Sequence, residues 1–465
     1  MERKKRVLLL WLLFFFVSMI SCQTKSPETT VTPKKESTAL YWKPSTYTIQ
    51  EPSRIYKWDL TTKKESFITN IITKEETLWT SLSPDKQKLV CAVQNDAFVQ
   101  EKKYLFWTYQ YYKDDYNWDD IDNVDKDSDF QSPYWIPDSS GFLYIRAMKQ
   151  TQTGDFIHYE SYDLMDVRFS NSKTPKLVCS FQSLISSLVW SPDQTTVAFF
   201  AQTGKEVKLW IYDIKAGVLS SLCSVEADQF SKNRIRWVDD HSLIWLEIQT
   251  LYSWDLEQKK KETVVTLPGV ILGYDFYLPD SSVCLTYALS EPTEKTFCIL
   301  YSWKNKKNQI LASGYQVDSP RFSPDGTKIS FFNRPLESEK PELVVYSLLT
   351  QKKTTVCRVG KITIYPWDAN PTYAVWSPDS QLILVENKQE DDSIVQLYAL
   401  SPLKLLKEIV QTDYIYSYNF SPSGEWVKVA YPQEEQTKIT LYHWKSAEVI
   451  DLSGEWLGWS TEDFS

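Results

Sequence analysis

The stretch Phe322-Ser323-Pro324-Asp325-Gly326, followed by the apolar run Ile329–Phe332, contains the pattern that decides the fold. A bulky apolar residue ends one predicted strand, a tight turn follows, and a second strand leads away from it. Proline presets φ at the first central position of a turn, aspartate binds the amides that follow it, and glycine tolerates the positive φ at the exit. The segment therefore predicts two antiparallel strands joined by a short turn.

The same pattern recurs along most of the chain, at steps of 40 to 55 residues. The turn positions are Pro84, Pro137, Pro192, Asp239 in a degenerate copy, Pro279, Pro324, Pro378 and Pro422. Two residues before each turn position stands a large apolar side chain: Leu82, Trp135, Trp190, Trp237, Tyr277, Phe322, Trp376 and Phe420. Because side chains alternate along a strand, a constant offset puts all eight in equivalent places. We expect them to pack between neighbouring repeats.

Third and fourth strand-like runs follow most pairs, and four antiparallel strands repeated in tandem predict an all-β fold, a β-propeller of four-stranded blades. At the chain ends, residues 54–69 look like a third and a fourth strand, and residues 455–460 look like a first strand. Pairing of the two ends would complete one blade and remove an exposed edge. The copy at Pro84 has no clear fourth strand, so we expect eight blades, with seven or nine as alternatives and a pair of β-sandwiches as the competing architecture.

The Trp/Phe-Ser-Pro-Asp-Gly pattern resembles the repeats of the TolB-type propeller family over about residues 50–460. It is also similar to the propeller domains of prolyl-oligopeptidase-type peptidases. The TolB-type resemblance implies partners in the cell envelope. The peptidase resemblance implies only the propeller, because the chain has no Gly-x-Ser-x-Gly motif for a catalytic serine.

The N-terminal residues have the layout of an export signal. Basic residues 2–6 precede the apolar run Val7–Val17, and Ser18-Met19-Ile20-Ser21-Cys22 follows. This ending resembles a bacterial lipobox, which implies lipid modification of Cys22. We therefore expect a signal peptide over residues 1–21, a lipidated cysteine and flexible tether over 22–38, and the propeller over 39–465. An uncleaved anchor helix is the alternative, and either arrangement places the propeller on the extracytoplasmic side of the cell membrane or outer membrane.

The charge and the motif content exclude several function classes. A net charge of −9 gives no attraction for nucleic acid, whose phosphates are also negative. The three histidines, at positions 158, 241 and 443, do not have the spacing of a metal site. No glycine-rich phosphate loop is present.

Eight aspartates are concentrated between Asp114 and Asp129, in a segment that we expect to be a long loop between blades. Asp125, Asp127 and Asp129 have the alternating spacing that opens a calcium loop. Phe130 stands where an EF-hand requires glycine, and Ile136 stands where it requires glutamate, so the segment is not an EF-hand. A looser Ca²⁺ site and a solvated acidic insertion are both consistent with the pattern. We expect no other cofactor.

Long loops often carry function, and two of them are predicted on the rim opposite the Ser-Pro-Asp turns. They supply the candidate binding residues, which are aromatic side chains beside carboxylates: Trp118, Asp119, Asp122, Tyr365, Trp367 and Asp368. Such surfaces suit a peptide or a glycan. The alternative is that Tyr365 and Trp367 only plug the mouth of the channel.

Cys284 and Cys298 lie symmetrically about Glu291-Pro292 in one predicted hairpin. They could form a disulfide in an exported protein, or they could be small buried core residues.

Together these features favour a membrane-anchored, non-catalytic propeller that binds a protein or another envelope component. One alternative is a carboxylate-based hydrolase that acts on a peptide or glycan in the central pocket. Another is a calcium-stabilised surface scaffold.

Overall fold

The computed structural model describes most of the repeat region. It describes residues 38–43, 54–70, 76–85, 87–95, 102–109, 118–125, 128–131, 133–153, 156–170, 174–182, 185–186, 188–226, 235–289, 295–336, 338, 340–360, 374–389, 392–434 and 436–460. The predicted signal peptide, Cys22 and the tether up to residue 37 lie outside these residues. No helix in the described ranges has the length and apolarity needed to cross a bilayer.

The described residues form nine sheets, which we call blades 1 to 9. Blade 1 contains β1 (Thr38–Lys43), β2 (Arg54–Asp59), β3 (Lys64–Asn70) and β37 (Glu455–Ser460). Blade 2 contains β4 (Glu76–Leu82), β5 (Lys88–Asn95), β6 (Lys102–Tyr109) and β7 (Trp118–Asp125). Blade 3 contains β8 (Asp129–Phe130), β9 (Tyr134–Trp135), β10 (Gly141–Thr153), β11 (Phe156–Arg168) and β12 (Lys176–Phe181). Blade 4 contains β13 (Val189–Trp190), β14 (Thr196–Thr203), β15 (Glu206–Asp213) and β16 (Val218–Val225).

The remaining blades repeat the same order of four strands. Blade 5 contains β17 (Arg236–Trp237), β18 (Ser242–Glu247), β19 (Thr250–Asp255) and β20 (Lys260–Thr266). Blade 6 contains β21 (Val270–Tyr277), the 3-10 turn Leu278–Asp280, β22 (Ser282–Ala288), β23 (Thr296–Ser302) and β24 (Lys307–Gly314). Blade 7 contains β25 (Gln316–Phe322), β26 (Lys328–Arg334), β27 (Glu342–Ser347) and β28 (Lys353–Arg358). Blade 8 contains β29 (Val375–Trp376), β30 (Leu382–Lys388), β31 (Ser393–Leu400) and β32 (Leu403–Thr412), and blade 9 contains β33 (Ser417–Phe420), β34 (Trp426–Gln433), β35 (Gln436–His443) and β36 (Glu448–Ser453).

These antiparallel four-stranded sheets confirm the predicted β-propeller fold. The chain divides into two compact units. One unit contains blades 1 to 4, the other contains blades 6 to 9, and the strands of blade 5 are divided between them. In both units the second strands contain runs of buried residues, such as Val197–Ala201 and Ile383–Val385.

The Ser-Pro-Asp turns are closed by their own side chains. In blade 7 the Ser323 hydroxyl donates to Asp325 Oδ1 at 2.6 Å, and the backbone N–H of Thr327 donates to the same carboxylate oxygen at 3.0 Å. The backbone N–H of Lys328 donates to Ser323 Oγ at 2.9 Å. The turns at Ser83, Ser191 and Ser377 have the same arrangement. These bonds explain why serine and aspartate flank the proline.

The same turns also connect neighbouring blades. Three backbone N–H groups donate across a seam at 2.8–3.1 Å: Asp85 to Ser139 Oγ, Asp193 to Asp240 Oδ1, and Asp325 to Ser380 Oγ. The motif therefore shapes a turn and holds the next blade.

The eight bulky residues before the turns are buried or half-buried, as the equivalent-position argument predicts. Three indole N–H groups reach the preceding blade. Trp135 donates to Ser81 Oγ, Trp237 to the carbonyl of Val189, and Trp376 to Ser330 Oγ. Tyr277 contacts the following blade instead: its ring is tilted against Phe322 with the ring centroids 5.6 Å apart, and its hydroxyl donates to the Asp325 carbonyl. In this blade a 3-10 turn replaces the tight turn after β21.

The two ends of the chain meet in blade 1, as predicted. β37 pairs with β1, and β1 pairs with β2. The predicted third and fourth strands of residues 54–69 correspond to β2 and β3. The described residues thus contain nine blades. This is one of the two alternative counts, and the preferred count of eight was wrong.

The difference of one blade comes from the acidic segment. We expected a loop between Asp114 and Asp129, but Trp118–Asp125 is strand β7 and pairs with β6 as the fourth strand of blade 2. Its buried side chains are Ile121 and Val124, which join the core between blades 2 and 3. A strand with so many aspartates is unusual, and the side chain of Asp122 has specific partners in blade 3, described below.

Candidate binding surfaces

Among the six predicted rim residues, the structure describes only part. Trp118, Asp119 and Asp122 belong to strand β7, and of these only the side chain of Asp122 is described. Tyr365, Trp367 and Asp368 lie outside the described residues. The convergence of aromatic rings and carboxylates on this rim stays a prediction.

Asp122 instead takes part in an ionic network between blades 2 and 3. Its Oδ2 accepts a hydrogen bond from the Tyr144 hydroxyl at 2.6 Å and lies 3.3 Å from Arg146 Nη1. Arg146 Nη2 donates to Asp163 Oδ2 at 2.8 Å, and the Ser180 hydroxyl donates to Asp163 Oδ1 at 2.5 Å. One guanidinium thus joins two largely buried carboxylates. We call Asp122, Arg146 and Asp163 the seam network.

The seam network has the chemistry of a structural clamp. Burial and the neighbouring Asp122 carboxylate both raise the pKa of Tyr144, so its hydroxyl keeps its proton and donates. A guanidinium stays charged at all physiological pH values, and its single positive charge lies between the two carboxylates. The predicted acidic binding rim is, at Asp122, part of the interior of the seam.

Among the three predicted calcium residues, the structure describes Asp125 and Asp129. Asp125 is exposed at the end of β7, Asp127 lies outside the described residues, and Asp129 is in β8. Asp129 Oδ1 lies 3.5 Å from Lys103 Nζ and accepts from the Phe130 N–H. Burial raises the pKa of Asp129. The described part of the chain contains no group of three or more His, Cys, Asp or Glu side chains that could hold a metal ion.

A long hairpin in blade 3 was not expected from the sequence. β10 and β11 contain 13 residues each, whereas the second and third strands of the other blades contain six to eight. β8 reaches only Arg146–Ala147 on one side of the hairpin, and β12 reaches only Tyr162 on the other. The outer rows of the hairpin, from Met148 paired with Ser161 to Thr153 paired with Phe156, have only each other as ladder partners among the described strands.

The hairpin leaves its sheet at Lys149. This residue has a φ of 55°, and its backbone N–H donates to Ser128 Oγ at 2.9 Å. Lys149 and Glu160, which face each other, interrupt the ladder without changing its register. The positive φ of Lys149 and its bond to Ser128 mark the base of the projecting arm. We call residues 148–161 the blade 3 arm.

The two candidate disulfide residues lie side by side in blade 6. Cys284 is opposite Leu300, and Cys298 is opposite Thr286, so the two cysteines are diagonal neighbours. Both are buried free thiols with their sulfur atoms 3.4 Å apart, and burial raises the pKa of Cys284. A disulfide between them stays a prediction. The histidines are dispersed, in β11, in the turn after β17, and in β35.

None of the protein-family models compared with the sequence matches it, and no curated protein sequence matches it. Solved structures do match the fold. A crystal structure of a eukaryotic initiation factor is 10% identical, with a TM-score of 0.58, and the match covers 93% of this chain and all of that chain. The Dos1 propeller is 11% identical, with a TM-score of 0.46 over 76% of this chain and 89% of that chain. TolB from Acinetobacter baumannii is 11% identical, with a TM-score of 0.29 over 81% and 82%. At such identities the likeness shows the β-propeller fold alone.

Proposed function

We propose that this protein is a lipid-anchored, extracytoplasmic β-propeller that binds a protein of the cell envelope and performs no catalysis. The Ser-Pro-Asp repeats support the TolB-type resemblance, and the N-terminal layout supports lipidation of Cys22. Two acyl chains on this cysteine would hold the propeller stably at the membrane surface.

The observation that carries the binding role is the blade 3 arm. An isolated two-stranded hairpin is marginally stable in water, so extending it beyond its sheet contributes little to the fold. Its two outer edges present backbone N–H and C=O groups that can pair with an added strand. An extension of this kind is explained by a contact with another chain.

The arm can be removed without disturbing the blade. Replacing residues 151–158 by Asn-Gly, which forms the turn that suits a two-residue hairpin, should leave Gln150 and Tyr159 paired. A matched control changes the tip of the blade 9 hairpin, Glu434→Asn with Glu435→Gly, without shortening it.

The test is photo-crosslinking in intact cells from a probe at position 151, followed by purification of the captured envelope protein. We expect the trimmed arm to bind the purified partner at least about tenfold more weakly than the control variant does. Equal binding by both variants, or turnover of an envelope polymer by the purified chain, would contradict the proposal.

The anchor has its own test. Cells fed an alkyne fatty acid should label the wild-type chain, and Cys22→Ala should lose both the label and membrane fractionation. A Cys91→Ala variant, which changes a cysteine of strand β5, should keep both. Label retained in Cys22→Ala would refute the lipobox interpretation.

A further inference from the structure

Blade 7 contains an arginine without a carboxylate partner. Arg146, Arg168 and Arg358 each pair with an aspartate or glutamate at 2.6–3.3 Å. Arg334 at the end of β26 pairs with none of the described carboxylates, and its guanidinium carbon lies 4.3 Å from the ring centroid of Tyr315. Stacking on an aromatic ring orients a guanidinium and leaves its N–H groups free to donate.

A second unpartnered donor lies beside it. Gln316 is directly opposite Arg334 in the pairing of β25 with β26, so both side chains are on the same face of the blade, with Cβ atoms about 5 Å apart. Gln316 is only 5% exposed, and its Nε2 has no hydrogen-bond partner in the described structure. The Nε of Arg334 is likewise buried and unpartnered.

These two donors need an acceptor. A buried donor left without a partner costs about 1–3 kcal/mol, and two such donors side by side are rare in a native fold. Both are N–H groups, so the group that satisfies them must accept two hydrogen bonds. A carboxylate has two oxygens in one plane and accepts from a guanidinium and a neighbouring amide together.

The surroundings indicate where such a carboxylate comes from. Tyr315 is 44% exposed, and Leu336, two residues after Arg334, is 61% exposed. An apolar side chain next to the carboxylate of an acidic peptide would cover both of these residues. The net charge of −9 gives a distant acidic group no attraction, so binding has to depend on contact with Arg334 itself.

We infer that Tyr315, Gln316, Arg334 and Leu336 form a subsite that binds a carboxylate side chain of an acidic peptide segment with an adjacent apolar residue. This inference rests on the proposed binding function, and it concerns a surface separate in sequence from the blade 3 arm. We call these four residues the carboxylate subsite.

The first experiment measures fluorescence anisotropy with a labelled peptide of three Leu-Glu repeats and a control peptide of three Leu-Gln repeats. The wild-type chain should bind the acidic peptide and not the neutral one. Arg334→Ala should weaken binding at least about tenfold, and Arg334→Lys should also weaken it because an ammonium lacks the planar pair of donors. The matched control is Arg358→Ala, which removes the same charge from β28 of the same blade and should leave binding unchanged.

A second variant separates binding from folding. Gln316→Leu removes a buried donor that has no partner, so it should raise the melting temperature of the peptide-free chain while it weakens peptide binding. If Gln316 had a structural role only, Gln316→Leu would lower the melting temperature or leave peptide binding unchanged.

Four results would overturn the inference: no binding of the acidic peptide by the wild-type chain, equal binding by Arg334→Ala, equal loss in Arg358→Ala, or displacement of the peptide by polygalacturonate at lower concentration than by free peptide. The last result would assign the subsite to an acidic glycan. Loss of this subsite leaves the arm-dependent capture test unaffected, so the two proposals can fail separately.

Discussion

Single residues of this propeller are constrained by contacts across the seams. Gly326 shows this most sharply. It ends the Ser-Pro-Asp turn of blade 7 with a φ of 66°, and a Cβ built on it would lie 2.0 Å from the ring of Tyr277 in blade 6. The glycine is therefore required for its backbone conformation and for the space that it leaves.

Gly326→Ala should lower the free energy of unfolding by about 3 kcal/mol, because the strain of a positive φ adds to displacement of the Tyr277 ring. Gly204→Ala is the control: it has a φ of 62° but no atom within 4 Å of the added Cβ, so only the conformational cost remains. Urea unfolding of both variants measures the difference. Adding Tyr277→Leu to Gly326→Ala should recover part of the loss, and full additivity of the two changes would contradict this explanation.

Asp318 should make stability depend on pH. Burial raises its pKa to about 6, although the Ser319 N–H, the Thr286 hydroxyl and the nearby Arg321 all favour the charged form. Its pKa in the folded chain is thus above that in the unfolded chain, near 3.8. The folded state holds this proton more tightly, so the stabilisation is present at low pH and is lost as pH rises through about 6.

The matched variant is Asp318→Asn, which keeps an acceptor oxygen and cannot titrate. The unfolding free energy of the wild-type chain relative to this variant should fall by up to about 3 kcal/mol between about pH 4 and about pH 7. Urea midpoints at a series of pH values measure this slope. A difference that stays constant with pH would refute the buried-carboxylate explanation.

At the scale of elements, the seam network explains why β7 is a strand. Aspartate is depleted in strands, so the sequence of Trp118–Asp125 favours a loop. The deciding partner of Asp122 is Arg146, which lies 24 residues away in another blade. Local patterns do not show that contact, and this is why the fourth strand of blade 2 was missed.

Arg146→Ala should lower the free energy of unfolding by about 3 kcal/mol, because it leaves two largely buried carboxylates without a counter-ion. Arg358→Ala is the control, since Arg358 is 72% exposed and its pair with Glu342 should contribute less than about 1 kcal/mol. Arg146→Met combined with Asp122→Asn and Asp163→Asn should be more stable than Arg146→Ala alone. Equal loss in Arg146→Ala and Arg358→Ala would show that the seam network contributes no more than a surface pair.

The Ser-Pro-Asp turns could be predicted from the sequence, whereas the binding surfaces could not. The turn at Ser323, Pro324 and Asp325 is held almost entirely by local hydrogen bonds. The sequence of each repeat therefore predicts its own first two strands. The carboxylate subsite depends on Gln316 and Arg334 meeting across two strands. Nothing in the spacing of a lone glutamine and a lone arginine reveals that they share a face. The sequence did not predict the length of the blade 3 arm either, nor the positive φ of Lys149 within its first strand.

At the scale of the whole molecule, blade 1 differs from the other blades because it joins the two ends of the repeat region. Blade 1 takes β1, β2 and β3 from the start of the repeat region and β37 from its end. The first strand in every other blade pairs with a strand that follows within about twenty residues, but β37 pairs with a strand more than four hundred residues earlier. Such a non-local pairing is slow to form.

Removal of residues 455–465 should expose the edge of β1 and the face that Trp456 and Trp459 cover with their rings 4.9 Å apart. An open strand edge pairs with other chains, so the truncated protein should melt at a lower temperature and form aggregates on a sizing column. Truncation after Ser460 is the control, because it keeps β37 intact. Since the lost element is a single strand, a synthetic peptide of residues 455–460 should restore part of the melting temperature by adding to the β1 edge. If the truncated chain had the same melting temperature as the control and stayed monomeric, blade 1 would be stable with three strands. The stability of the propeller would then not depend on pairing of the two ends.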